Sequence, residues 1–547
     1  MRKRVARTMA LVLAGVLSTG LLSGCGTKAS EEKTTTAATA ATTSTDTTKA
    51  AAGGENGLHN LSDGVLDIGT TINWDTLTPL RSNIGNNSPY ASVAYETLAK
   101  LTEKKEYAKI VAKSWEVQED GKTFDVEIYD YVKDSAGNAI TASDIVWMIK
   151  LQQEAALKPA FAMVDSVEQT GDYTFQVKMK EDMVGAFEAV LTNTFVVSQA
   201  AYEGSKDQFA TEIISTSPYK LTKFVSGSEI SFEKRDDYWQ KPELVDPSCA
   251  ANVDKLSYHI ILEASQAGIA LETGTIDAFV MLDQNTASQF AENQKFNMES
   301  NTYINGYQLF FSGSDNRQIA TDVNLRKAIC YAIDTDGLIK GVFAGYGKSM
   351  HDPISDSSLG WLEKWKEEDY YPYDAEMAKE YLAKSNYKGE ELVLLATSSS
   401  TMQRISQMIQ GYLLQAGITV KLNLVDQALY TATRLDGSQY DMTINTVGGE
   451  TLPDHWSIRY DYQAYKTGDA TSRHDEKLGE LLYKTWTQAG FTEENIDAVH
   501  QYLKENMYAY GMVQPENIDI WRSDIGLTKV VHTNKGSVDF TASTFNE

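Results

Sequence analysis

The stretch Gly341-Val-Phe-Ala-Gly-Tyr-Gly-Lys-Ser349 holds the residue types of a phosphate-cradling loop. In such a loop, glycines let backbone amides converge on an anion, and a closing Gly-Lys-Ser supplies a cation and a hydroxyl. The spacing excludes that chemistry. Four residues must separate the first glycine from the Gly-Lys pair, and counting back from Gly347 puts Val342 in that place, with Gly341 one residue too far upstream. The context disagrees as well. Leu325, Ile329 and Ile333 recur at a helical period, and the pattern runs on to Phe343, so a helix enters the loop where a strand is required. The stretch reads as a glycine-rich helix exit.

Other chemistries are missing their residues. No Gly-x-Ser-x-Gly elbow, His-Glu-x-x-His pair or Cys-x-x-Cys occurs. Histidines stand at 59, 259, 351, 455, 474, 500 and 532, none at ligand spacing from another, and no metal or cofactor is expected. Glu119-Asp120 and Glu367-Glu368-Asp369 suit a glycosidase pair or, in so acidic a chain, a solvated face, which leaves a secreted hydrolase as an alternative.

The elements that must position a site follow from periodicity. Phe124, Val126 and Ile128; Tyr173, Phe175, Val177 and Met179; and Ile418, Val420, Leu422 and Leu424 alternate with polar residues, as half-buried strands do. Between Glu391–Ala396 and the strand at Ile418, residues Met402, Ile405, Met408, Ile409 and Leu413 mark one face of a helix, which predicts a βαβ unit with a right-handed crossover. Its first strand ends in Thr397-Ser-Ser-Ser400, either a ligand edge of an open sheet or a plain helix cap.

Residues Met1–Arg7 carry Arg2, Lys3, Arg4 and Arg7, and Met9–Leu22 is apolar and too short to span a bilayer, the layout of a secretory signal. It closes on Leu22-Ser-Gly-Cys25, which resembles the bacterial lipobox, so Cys25 is expected to be lipidated and to begin the mature chain. Residues 26–57 are Thr, Ala, Ser, Lys and Gly with almost no large apolar side chain, a flexible tether. Removing a signal with four cations and no acid takes the net charge from −26 to −30, which argues against a nucleic-acid partner. Cys249 and Cys330 make no disulfide framework, and Cys330 reads as a small core residue. The 29 tyrosines and nine tryptophans suit wet recognition surfaces as well as core.

Four blocks, spread over about Gly64–Leu527, resemble the extracellular solute-binding proteins of family 5, the oligopeptide-, dipeptide- and nickel-binding components of ABC importers. They are Ala112–Phe124 with Ala139–Trp147; Ser217-Pro-Tyr-Lys-Leu221 with Phe232–Trp239; Asp322–Asp334; and Tyr370–Asp374 with Leu414–Val420 and Tyr440–Met442. Gly345-Tyr-Gly347 matches a loop that binds no nucleotide in that family. Two departures are Lys234-Arg235 where the family usually has asparagine, and Ser217 for the glycine of Gly-Pro-Tyr.

The resemblance implies a two-lobed, periplasmic-binding-protein-like α/β fold of class II, with an extra inserted domain. The expected division is 1–24 signal peptide, 25–57 tether, 58–103 first lobe, 104–208 inserted domain, 209–311 first lobe, 312–515 second lobe and 516–547 first lobe. It implies a monomeric, lipid-anchored protein on the extracellular face, or the periplasmic side where an outer membrane exists. Such a protein captures peptides between hinged lobes that close around them, without chemistry, and delivers them to an ABC permease with its ATPase subunits; an oligosaccharide, a nickel complex or another non-peptide solute is the alternative. Glu450 stands where peptide-binding members carry the aspartate that holds a free amine. The site is therefore expected on Val447, Gly448, Gly449 and Glu450 with Trp456 nearby, facing Trp74 and Tyr307-Gln308. Glycines leave backbone groups open to a ligand main chain, and the tryptophans either enclose side chains or pack in the core.

Overall fold

The predicted βαβ unit forms as strand Leu392–Thr397, helix Ser400–Gln415 and strand Val420–Val425, with the strands parallel from Leu392 opposite Val420 to Thr397 opposite Val425. The structure is a computed structural model that describes residue 61 and residues 63–80, 90–302, 306–350, 352–368, 370–447, 451–460, 475–533 and 536–546. Met402, Ile405, Ile409 and Leu413 are buried on the core-facing side of that helix, with Met408 packed beside them. They meet Leu394, Val420 and Met442 in the main core of one lobe.

The apolar stripe from Leu325 to Phe343 does not make one helix. It forms Val323–Ala332, and a second helix follows at Thr335–Phe343. The physical reason is a pair of aspartate caps: Asp322 Oδ1 accepts from Leu325 N at 3.0 Å and Asp334 Oδ1 from Gly337 N at 2.8 Å. The second cap restarts the helix and breaks the apolar stripe.

The other lobe is built on Leu66–Thr70, flanked in parallel by Lys255–Ile260 and Ala278–Leu282, with Glu229–Lys234 and Tyr219–Val225 added antiparallel. Leu66 and Ile68 on one face and Gly69 on the other are buried, as expected of a strand covered on both faces. Gly69 is required there, since a Cβ would fall 2.3 Å from the Phe279 ring.

One strand belongs to both lobes. Ala509–Arg522 pairs over 509–513 with Gly306–Phe311 and over 516–522 with Phe296–Thr302, the segment just before it in the chain. Gln514 and Pro515 lie between these two ladders. There they pair with Gly347–Ser349 instead, Pro515 opposite Gly347 and Gln514 opposite Lys348, so a third segment bridges the crossing.

A separate four-stranded antiparallel sheet, Ala112–Val117, Thr123–Ile128, Thr174–Met179 and Val164–Gln169, carries helix Ala142–Ala155 and its own core around Val126, Ile145, Phe175 and Val177. The motifs that suggested it have local causes. Asp120 Oδ1 accepts from Lys122 N and Thr123 N at 3.0 and 2.8 Å beside Gly121 at φ +68, which makes the hairpin turn. Asp144 Oδ2 accepts from Thr141 N at 2.9 Å, which starts the helix. The two departures from the family pattern meet each other: Arg235 Nη1 donates to Ser217 O and Nη2 to Asp134 O, both at 3.0 Å. Tyr238 and Trp239, in the same block, donate to the buried carboxylate of Glu96 at 2.5 and 3.1 Å. Burial pushes Glu96 up to about 7, against the opposing pull of those hydrogen bonds.

Candidate functional site

As Gly306–Phe311 leaves the crossing, Gly306 stands opposite Val447, Tyr307 opposite Thr446 and Gln308 opposite Asn445. On its other side Gln308 stands opposite Gly511 of the shared strand. Of the expected site residues, Tyr307, Gln308 and Val447 are thus brought side by side where the chain passes between lobes. Gly448, Gly449 and Glu450 continue from Val447 and lie outside the described residues, as does Cys25. Trp74 and Trp456 are both fully buried in core clusters, Trp74 edge-on to Tyr90 at 4.5 Å and Trp456 grouped with Phe310, Ile354 and Trp365. Each indole Nε1 is buried without a partner.

Gln308 is the chemically informative residue. It is 0% exposed, and neither Oε1 nor Nε2 has a hydrogen-bond partner. Gly306 and Gly511 flank it, and Met350 and Asp352 lie against those glycines: a Cβ at Gly306 would meet Met350 Sδ at 2.3 Å, and one at Gly511 would meet Asp352 O at 2.4 Å. Asp352 is equally buried. Its Oδ2 is bonded to His500 Nδ1, while Oδ1 has no partner. Burial pushes the Asp352 carboxyl up, and His500 opposes the shift. His500 is stacked on Trp365 at 4.1 Å and reaches Glu368 through Nε2 at 3.3 Å, which braces the segment from behind. An unpartnered buried amide or carboxylate oxygen costs about 1–3 kcal/mol, so this spot favours any guest that brings a donor and an acceptor.

Beyond Met350 the same segment walls a cavity of about 640 Å³, lined by Lys340, Lys348, Asp356, Trp361, Lys366 and Gln514 among others. Gln514 is on the face of Gln308 because the ladder slips by one residue between Tyr307–Val513 and Gln308–Gly511. Lys348 is paired with Asp356 at 2.5 Å, and Lys366 is paired with Glu363 at 2.7 Å while lying 5.6 Å over the Trp361 ring. Gly345 and Gly347 belong to this wall. The stretch that mimicked a phosphate loop exits helix Thr335–Phe343, and its Gly347–Ser349 pairs with the shared strand, so Lys348 serves a cavity and not a nucleotide loop. Sequence reasoning singled out the glycines and missed Lys348, Asp356, Trp361, Lys366 and Gln514. The usable signal was Gln308 itself, a lone amide in the apolar run Tyr307–Phe311.

A second feature concerns strand Met442–Val447. Its pairing with Leu392–Thr397 covers only Met442 and Thr443. Tyr430 OH donates to Ile444 O at 2.9 Å, and beyond it the edge of Asn445–Val447 has no strand partner among the described residues. An unpaired edge next to buried polar groups can hold an extended main chain. Among the described residues, no group of His, Cys, Asp and Glu is arranged to hold a metal, and no helix is long and apolar enough to cross a membrane.

Comparison with known proteins gives a consistent picture. The model of the family described as bacterial extracellular solute-binding proteins, family 5 Middle, matches residues 106–469. The glutathione-binding protein GsiB of Pectobacterium atrosepticum is 23% identical over 379 residues, 66% of this chain and 69% of its own length. Among solved structures, the oligopeptide-binding protein AppA of Bacillus subtilis, in complex with a nonapeptide, superposes with a TM-score of 0.68 at 18% identity, over 86% of this chain and 96% of its own. NikA of Brucella suis, in complex with Fe(III)-EDTA, superposes with a TM-score of 0.75 at 18% identity, over 88% of this chain and 100% of its own.

Proposed function

Because this chain belongs to the bacterial extracellular solute-binding proteins of family 5, a non-catalytic family that serves ABC importers, we propose that its solute is a peptide. The peptide lies along the open edge of Asn445–Val447 and is held by the crossing. The observation that carries this reading is Gln308, a buried amide with both polar atoms unpartnered, one strand in from that edge. A peptide group offers one donor and one acceptor, the complement of a primary amide. Glu450, which follows the edge, is the proposed partner of the peptide's ammonium, and Trp74 and Trp456 support the walls from within their cores. Cys25 is the proposed lipid anchor, with residues 26–57 as the tether.

Mass spectrometry tests the proposal after incubation with a mixture of short peptides, by analysis of both retained and consumed species. Intact peptides recovered from the protein are expected. A retained oligosaccharide or metal complex with no peptide would replace the solute class, and altered peptides in solution would restore the hydrolase alternative.

A further inference from the structure

The separate four-stranded sheet does more than decorate one lobe. Its domain touches the other lobe at one place and faces it at another. At the first, Val184 N donates to Trp486 O at 2.8 Å, and Gly185 lies against Thr451. At the second, the turn at Lys105, with φ +62, brings its ammonium into the field of Asp356 and Glu363; burial lowers its pKa, and the two acids oppose that shift. Asp356 lines the cavity at the crossing, and Glu363 is the partner of Lys366.

Thr451 is a node. It forms a bridge with Leu359, and Leu452 N donates to Leu359 O at 3.1 Å, which ties it to the loop that walls the cavity. It also directly follows the segment Val447–Glu450 in the chain. Gly185 is at φ +78 and precedes helix Ala186–Asn193. A Cβ there would lie 2.7 Å from Thr451 Cγ2, with Thr451 Oγ1 at 3.7 Å the next atom. Only glycine therefore allows this approach, on conformational and on steric grounds.

We infer that the inserted domain is a latch for the lobes, with Gly185 the positioning residue that seats it on Thr451. The latch and a solute on the Asn445–Val447 edge then stabilise the same closed arrangement. The purpose assigned to the latch rests on the proposed solute capture, but the contact does not, so the test uses no solute.

The radius of gyration of the full chain is measured by small-angle scattering for wild type, Gly185→Ala, Gly137→Ala, and the double variant Gly185→Ala/Thr451→Ser. Gly137 is the control for backbone strain: it lies in the same domain at φ +84 with nothing within 4 Å of a Cβ. Gly185→Ala should expand the molecule, Gly137→Ala should not, and Thr451→Ser, which deletes the methyl group in the way, should reverse at least half of the expansion. An unchanged radius for Gly185→Ala, an equal change for Gly137→Ala, or no recovery in the double variant would each overturn the latch. Should Gly185→Ala not fold while Gly137→Ala does, recovery of folding by Thr451→Ser would carry the same information, and failure to recover would count against it.

Discussion

Replacing Gln308 by methionine, a side chain of similar length and volume without an amide, should move stability and affinity in opposite directions. In the empty protein, both amide atoms are buried without partners. Each such group costs about 1–3 kcal/mol, so removing both should gain about 2–6 kcal/mol. A volume-conserving swap in a packed site costs less than about 1.5 kcal/mol, because the thioether must find its rotamer beside Met350 and Gly511. The gain wins, and the net is stabilisation by about 0.5–4.5 kcal/mol. For a cooperative unit of about 200 residues this is a rise of roughly 1–18 °C in melting temperature. With solute bound the amide is satisfied, so the variant loses those hydrogen bonds, about 1–3 kcal/mol, or about 5- to 150-fold in affinity. Differential scanning calorimetry of the empty protein and titration calorimetry with a retained peptide give the two numbers. A variant that melts lower and binds equally well would refute the reasoning, because Gln308 would then be an ordinary buried residue.

Three further outcomes are expected. Glu450→Gln should weaken peptide binding by at least about two orders of magnitude, since a buried ammonium left unpaired costs about 3–5 kcal/mol; titration calorimetry showing equal affinity would remove Glu450 as the amine partner. Glu96 is held at about 7 by burial against an ordinary 4.5. Its neutral form fits the fold, so its contribution is whole below the ordinary value and is lost as pH rises through 7, and Glu96→Gln should gain about 3 kcal/mol on wild type between about pH 4 and pH 8, read from denaturant melts. A constant difference across that range would contradict the burial argument. Cys25→Ser should free the protein from the membrane fraction or leave its precursor uncut, and fatty-acid labelling of the variant would dismiss the lipobox.

What could be read beforehand was local. The face Met402, Ile405, Ile409 and Leu413 emerged because a helix between two strands must bury one stripe, and that stripe is written at fixed spacing. Asp322–Asp334 misled because Ile333 keeps the apolar period while Asp334 caps a new helix, and a cap competes with a stripe on nearly equal terms. The cavity was out of reach for a different reason. Lys348 meets Asp356 across a loop, and Lys366 lies over Trp361 across the turn Glu363–Glu367. Such pairings depend on tertiary approach and leave no period in the chain. The first family block, by contrast, holds turn and cap chemistry, with Asp120-Gly121 setting a hairpin and Thr141–Asp144 a helix start.

Closure of the lobes on a captured solute is read by small-angle scattering on the wild-type chain, with and without a saturating peptide drawn from those the protein retains. The radius of gyration should fall with peptide and recover when the peptide is removed. An identical scattering curve at proven saturation would contradict it.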